Sequence, residues 1–136
     1  GEKVAVKTLR LDKISRRTHI DLNHEVETQS SVDHPNVARL RAVYKSKQLL
    51  RLVMEQLEGG EVFDHLLEKG SLSESETALV VEQLLRAVEH LHGKGLVHRD
   101  IKPENMIYTS TDRDSVKLID FGLCAYWKKG KAPMKR

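Results

Sequence analysis

Cysteine is all but missing: Cys124 is the single one in 136 residues, so no disulfide can close within the chain. That absence fits a reducing compartment, and Cys124 reads as a small buried hydrophobe rather than a reactive thiol. Long apolar runs are missing too, since nothing approaches the roughly 20 residues that a bilayer span needs. The charged start, Gly1-Glu2-Lys3 ahead of Val4-Ala5-Val6-Lys7, lacks the layout of a signal peptide. A cytoplasmic protein with no membrane span is the expectation. Aromatic residues make up only 4% of the chain. Beyond Trp127 none accompanies the basic tail of Lys128, Lys129, Lys131, Lys135 and Arg136, which also lacks an amphipathic period. A solvated loop is expected there, with no nucleic acid as partner. The net charge of +3 sits in that tail, and the rest of the chain is mildly acidic. Internal repeats, low-complexity segments and calcium-binding loops of the acid-and-glycine type are lacking as well.

What is present is enough for a core, because hydrophobic residues form 39% of the chain and recur in amphipathic stretches. Val4, Val6 and Leu9 predict a short strand. A charged linker from Arg10 to Thr18 leads to a helix reaching about Val32, which Asp33-His34-Pro35-Asn36 stops, since the residue before a proline disfavours the helical region. Strands are expected over Val37 to Tyr44 and Leu49 to Met54, with a turn at Lys45 to Gln48 between them. After Glu58-Gly59-Gly60, a short helix over Glu61 to Glu68 places Val62, Phe63, Leu66 and Leu67 on one side and ends at Gly70. Ser73 with Glu76 makes a capping box for the clearest helix, whose Leu79, Val80, Leu84, Ala87, Val88 and Leu91 keep helical spacing up to Gly93 and Gly95. Met106 to Tyr108 and Val116 to Ile119 then predict a hairpin. Strands with one helix, then helices, then a hairpin imply an α+β arrangement of two packed lobes.

Two segments carry the chemistry: His98-Arg99-Asp100-Ile101-Lys102-Pro103-Glu104-Asn105, and Asp120-Phe121-Gly122. Together they hold a carboxylate able to take a hydroxyl proton, a lysine able to neutralise a phosphate, and two hard oxygen ligands for magnesium. Phosphoryl transfer needs that set. A plainer reading makes Asp100 a turn residue and Asn105 a cap. It explains each residue separately but not all four together.

These motifs resemble the catalytic loop and metal-binding motif of eukaryotic serine/threonine protein kinases, and the similarity extends over nearly the whole chain. The resemblance implies a protein-kinase-like two-lobe α+β fold, truncated, with residues 1–54 as part of the N-lobe, 55–60 as the hinge, and 61–136 as the C-lobe up to the middle of the activation segment. It implies ATP and Mg2+ as cofactors, Asp100 as the catalytic base, Lys102 as charge partner of the moving phosphoryl group, and Asn105 and Asp120 as metal ligands. Val4-Ala5-Val6-Lys7 matches the strand whose lysine holds the α- and β-phosphates, and the family's spacing selects Glu25 as its ion-pair partner, with Glu27 as the rival. Adenine is expected against the backbone of Glu55 and Leu57, sandwiched by Ala5 and Ile107, with Met54 sizing the space behind it. The plainer reading of Ala5 and Ile107 is ordinary core, and both readings can hold at once. His98 and Phe121 belong to a hydrophobic column through both lobes, and alignment adds Leu40 and Gln29. Gln29 departs from the pattern, because that place is usually apolar. A buried amide without a partner costs roughly 1 to 3 kcal/mol, so Gln29 is expected to find a hydrogen bond or water, or to leave its helix loosely held.

Lysine two positions after Asp100 resembles serine/threonine rather than tyrosine kinases. Glu61 and Glu104 match acids that face arginines of basic peptide substrates, although Glu61 could serve only the ribose. Glu58-Gly59-Gly60-Glu61-Val62-Phe63-Asp64 is most similar to the calcium/calmodulin-dependent and calcium-dependent kinase group. The family's glycine-rich phosphate loop and its Ala-Pro-Glu segment are not in this chain, and no serine or threonine follows Asp120 to pair with Arg99. The chain alone is therefore expected to be poorly stable and inactive, with the apolar face of the Ser73 helix open to water. The alternatives are a nucleotide-binding pseudokinase or scaffold, and an inactive truncated regulatory form.

Overall fold

The computed structural model describes residues 1–127, so the expected basic loop after Trp127 lies outside the described residues. Strands β1 (Val4–Arg10), β2 (Leu40–Lys45) and β3 (Leu49–Glu55) form an antiparallel sheet in the order β1-β3-β2. Alternation decides its faces: Leu50 and Leu52 are buried, while Val4 and Val6 on the other side are exposed. Helix α1 (Arg16–Ser30) covers the buried face, with Leu22 and Val26 packed on Leu11, Leu50 and Leu52. The expected linker to Thr18 is shorter than its charge suggests. A 3-10 turn occupies Leu11–Lys13, and the Ser15 hydroxyl caps α1 by accepting from the Thr18 amide at 3.2 Å, so the helix starts at Arg16.

A second, larger core gathers Val80, Ala87 and Leu91 of α3 (Glu74–Gly93) with Tyr108, Val116, Leu118, Phe121 and Cys124. Here α3 packs on the hairpin of β5 (Met106–Tyr108) and β6 (Val116–Leu118), and α2 (Val62–Lys69) packs beside β5. The capping box at Ser73 and Glu76 forms as expected. Lys69 and the Ser73 amide both bond the Glu76 carboxyl and hold its pKa down at about 2. The apolar face of α3 is only partly open: Val80, Ala87 and Leu91 are buried, Leu79, Leu84 and Val88 are half-buried, and Val81 and Leu85 are exposed. Packing against β6 covers the buried part within the chain itself. Helix α2 also turns differently from its apolar pattern, since Val62 and His65 are buried while Leu67 is 65% exposed. His65 can enter because its Nδ1 lies 3.0 Å from the Tyr108 hydroxyl.

The strand expected from Val37 begins only at Leu40, because Val37 and Ala38 pair with β6. Val37 bridges to Leu118 in parallel, and the Ala38 amide donates to the Leu118 carbonyl at 3.0 Å. Buried Asn36 secures the junction by donating to Gln83 Oε1 at 2.8 Å and to the Val116 carbonyl at 2.9 Å. These bonds join the two cores. One pairing escaped the sequence: β4 (Leu96–Val97) lies antiparallel to β7 (Ala125–Tyr126), which buries Cys124 beside it. Burial pushes the Cys124 thiol up, as an inert cysteine requires. Among the described residues no helix is long and apolar enough to cross a membrane.

Candidate active site

A cleft of about 390 Å³ opens between the three-stranded sheet and the β5–β6 hairpin, within the roughly 300–1,000 Å³ usual for small-molecule sites. Ala5 and Lys7 reach it from β1, Glu25 and Gln29 from α1, Met54, Glu55 and Leu57 from the end of β3 and the connector, and Ile107 and Asp120 from below. Register explains the first group. Ala5 pairs with Met54 and Lys7 with Leu52, so alternate β1 residues share the side on which α1 sits.

The loop after β4 closes on itself, and its Asp100, Lys102 and Asn105 do not line the cleft. The Asn105 side-chain amide donates to the Asp100 carbonyl at 2.9 Å and to its carboxylate Oδ2 at 3.0 Å, and Lys102 Nζ lies 3.6 Å from Oδ1. Both Asn105 donor hydrogens are thereby used on Asp100, which leaves the amide oxygen as an acceptor. The Ile119 amide donates to the Asn105 carbonyl at 2.9 Å, which ties this loop to the residue before Asp120, and Ile119 and Asp120 both line the cleft. Asp120 has φ 60 and Arg99 has φ 68, the left-handed region that ordinary side chains enter only under constraint. Asp120 Oδ1 accepts from the Gly122 amide at 3.1 Å, leaving Oδ2 as a hard donor. An amide oxygen and a carboxylate oxygen are the donor types that magnesium takes, since it uses few protein ligands and keeps water and phosphate for the rest.

Lys7 and Glu25 both line the cleft, yet no ion pair joins them among the described residues. The expected clamp is open. Lys7 is exposed, and the Glu25 carboxylate stands near the Asp120–Gly122 turn, where a Cβ on Gly122 would meet its Oε2 at 3.7 Å. Burial raises the Glu25 pKa first of all, with Lys7 pulling it down and Asp120 pushing it up. Glu27, the rival, is exposed and does not line the cleft. Glu61 and Glu104 also stand outside it. Glu61 is the N-cap residue of α2 and its backbone bridges to Ile107, while Glu104 sits in a 3-10 turn, Pro103–Asn105, packed against α2.

The protein kinase domain family matches residues 1–136, the whole chain. The chain belongs to the protein kinase family. It is 41% identical over 134 residues to calcium-dependent protein kinase 29 of Arabidopsis thaliana, covering 96% of this chain and 25% of that protein. A probable myosin light chain kinase of Dictyostelium discoideum is 37% identical over 131 residues, with 96% of this chain and 41% of the relative covered. Calcium/calmodulin-dependent protein kinase type 1 of Macrobrachium nipponense is 39% identical over 122 residues, with 88% and 35% covered. The chain thus spans less than half the length of these relatives, and the described residues adopt the corresponding part of the α+β kinase fold.

Within this kinase chain, the His98 and Phe121 rings meet edge to face at 5.3 Å, and Phe121 is fully buried. His98 Nε2 lies 3.0 Å from the Ile119 carbonyl, and its Nδ1 accepts from the Asp100 amide at 3.2 Å, so one ring positions both motifs. Gln29 is buried and finds the hydrogen bond expected of it, donating to the Ala38 carbonyl at 3.3 Å. Arg99 Nε donates to the Leu123 carbonyl at 2.6 Å. Sequence reasoning missed Lys117, whose Nζ lies 2.7 Å from Glu55 Oε1. The available signal was its alternation with buried Val116 and Leu118, which turns it to the face it shares with Ile107. It also missed Gly59, whose close approach to β5 leaves no room for a side chain.

Proposed function

We propose that this chain carries the nucleotide- and metal-binding core of a serine/threonine protein kinase, with residues 1–54 from the N-lobe, 55–60 as hinge and 61–136 from the C-lobe. The observation that supports the reading is the Asp100–Asn105 bond at 3.0 Å together with the bond from the Ile119 amide to the Asn105 carbonyl, which ties the proposed base and one proposed metal ligand to the residue before Asp120. ATP fits the donor set: Ala5 and Ile107 face the ring, the Glu55 and Leu57 backbone meets its edge, and Met54 bounds the space behind. Lys7, which lines the same cleft as Glu25, holds the phosphates. Asn105 and Asp120 would hold Mg2+, which when bound neutralises charge on the phosphates.

Asp100 accepts the proton of the substrate hydroxyl through the carboxylate that Asn105 orients. Lys102, already 3.6 Å from that carboxylate, offsets charge on the transferred group. Glu61 and Glu104, on neighbouring elements outside the cleft, receive arginines of a basic substrate peptide. A cytoplasmic setting suits this chemistry. The test is Mg2+-dependent transfer from ATP to a serine peptide by the complete protein, compared with Asp120→Asn. Transfer by wild type and loss in the variant are expected. ATP binding without transfer in the wild type would instead make this a scaffold, and an array without arginine selection would end the basic-substrate reading.

A further inference from the structure

We propose that Glu55 and Lys117 form an interlobe clamp that holds the connector in position to receive the adenine edge. The inference rests on the kinase reading above. Lys117 Nζ lies 2.7 Å from Glu55 Oε1, and the two side chains are only 17% and 16% exposed. Every other lysine or arginine pair among the described residues has at least one partner far more open to water, such as Lys3 with Glu58 or Arg86 with Glu82. Exposed pairs of that kind contribute little, whereas a half-buried, charge-assisted bond is better shielded from water and fixes geometry. The same Glu55 oxygen also accepts from the Arg39 amide at 2.8 Å, and the Glu55 amide donates to the Arg39 carbonyl at 3.1 Å. One carboxylate thus joins β3, the segment ahead of β2, and the hairpin under the cleft.

Position gives the clamp its role. Lys117 stands in register with Ile107, a floor residue of the cleft, and it is separated from Glu55 by 62 positions in the chain. The connector is fastened again further on, where the Glu58 amide donates to the Thr109 carbonyl at 3.2 Å and the Gly59 amide to the Tyr108 carbonyl at 3.0 Å. Between these anchors, Leu57 makes no backbone bond to another backbone group among the described residues. Its N–H and C=O are left for a ligand. With one end tied by a side-chain ion pair and the other by backbone bonds, the span holds a fixed distance from Ile107. A nucleotide then meets preset donors and acceptors instead of ordering them on arrival, which is the source of affinity in a preorganised site.

Lys117 is therefore a positioning residue, acting on nucleotide affinity through Glu55. The experiment measures Mg-ADP affinity by calorimetry in the complete protein for Lys117→Met, Glu55→Gln and the double variant. Each single change is expected to weaken binding about tenfold and the double change barely more, the signature of one shared interaction. Steady-state kinetics of Lys117→Met should show the loss in KM for ATP, with kcat at saturating ATP within about twofold of wild type. Lys117→Arg keeps the charge and should bind within about threefold of wild type, which guards against a variant that merely fails to fold. Effects that multiply in the double variant, an unchanged affinity in either single, or equal losses in Lys117→Arg and Lys117→Met would each overturn the proposal. A wild-type protein that binds no Mg-ADP would sink the kinase reading itself, a distinct outcome.

Discussion

Gly59 offers the sharpest test of how the connector is built. A Cβ added there would lie 2.3 Å from the Ser110 carbonyl oxygen, 2.4 Å from Tyr108 Cβ and 2.8 Å from the Ser110 carbonyl carbon. None of these is the free end of a flexible side chain, so Gly59→Ala must push the connector off β5. Overpacking of this sort costs about 1–3 kcal/mol. The bonds from Gly59 N to Tyr108 O at 3.0 Å and from Tyr108 N to Gly60 O at 2.9 Å lie in the displaced segment, and each contributes about 0.5–1.5 kcal/mol. A loss of about 3 kcal/mol or more follows, a large share of the roughly 5–15 kcal/mol that holds a native domain together. Gly60 is the internal control: its φ of +79 strains any side chain, yet a Cβ there meets nothing within 4 Å, so alanine costs only about 1–2 kcal/mol. Urea melts of the complete protein with each substitution give the comparison, and nucleotide affinity should fall further for Gly59→Ala. Equal or reversed effects at the two glycines would refute the reasoning.

Glu25 has a pKa raised mainly by burial, so the folded state holds its proton to higher pH than the unfolded chain does. Native protein therefore binds the extra proton just above the ordinary carboxyl value of 4.5, and stability falls as pH rises through that window. Glu25→Gln should gain on wild type in thermal melts near pH 7 and lose that advantage toward pH 4, while phosphate transfer drops; a stability difference independent of pH would contradict this. Gln29→Leu removes the bond to the Ala38 carbonyl and should speed amide exchange in α1 and lower activity, with a stability change of about 1 kcal/mol. Unchanged exchange and activity would mean that the amide ties nothing.

Local groupings were legible because they depend on residue type and spacing: Asp100, Lys102 and Asn105 meet within one loop, and Ala5, Met54, Ile107 and Asp120 line one cleft. Side-chain partnerships were not. Lys7 and Glu25 share the cleft without pairing, whereas Lys117 pairs with Glu55 across a separation that no local pattern encodes. Element limits failed where tertiary bonds outvote propensity. Val37 and Ala38 have strand-forming neighbours but turn to β6, and His65 enters the core because a tyrosine hydroxyl meets it. The start of α1 was misjudged for a local reason, the Ser15 cap hidden within a run of charge. The β4–β7 pair is two residues long on each side, too short for an alternating pattern to reveal.

The central claim is that Asp100 takes a proton from an alcohol lined up with bound ATP. Its most direct test is single-turnover phosphate transfer by the complete protein, wild type against Asp100→Asn, with ATP affinity measured on the same samples. The account predicts a chemical step slower by about 10²–10⁴-fold, the usual range for losing a general base, with ATP affinity nearly unchanged. Transfer at an undiminished rate in Asp100→Asn would contradict it.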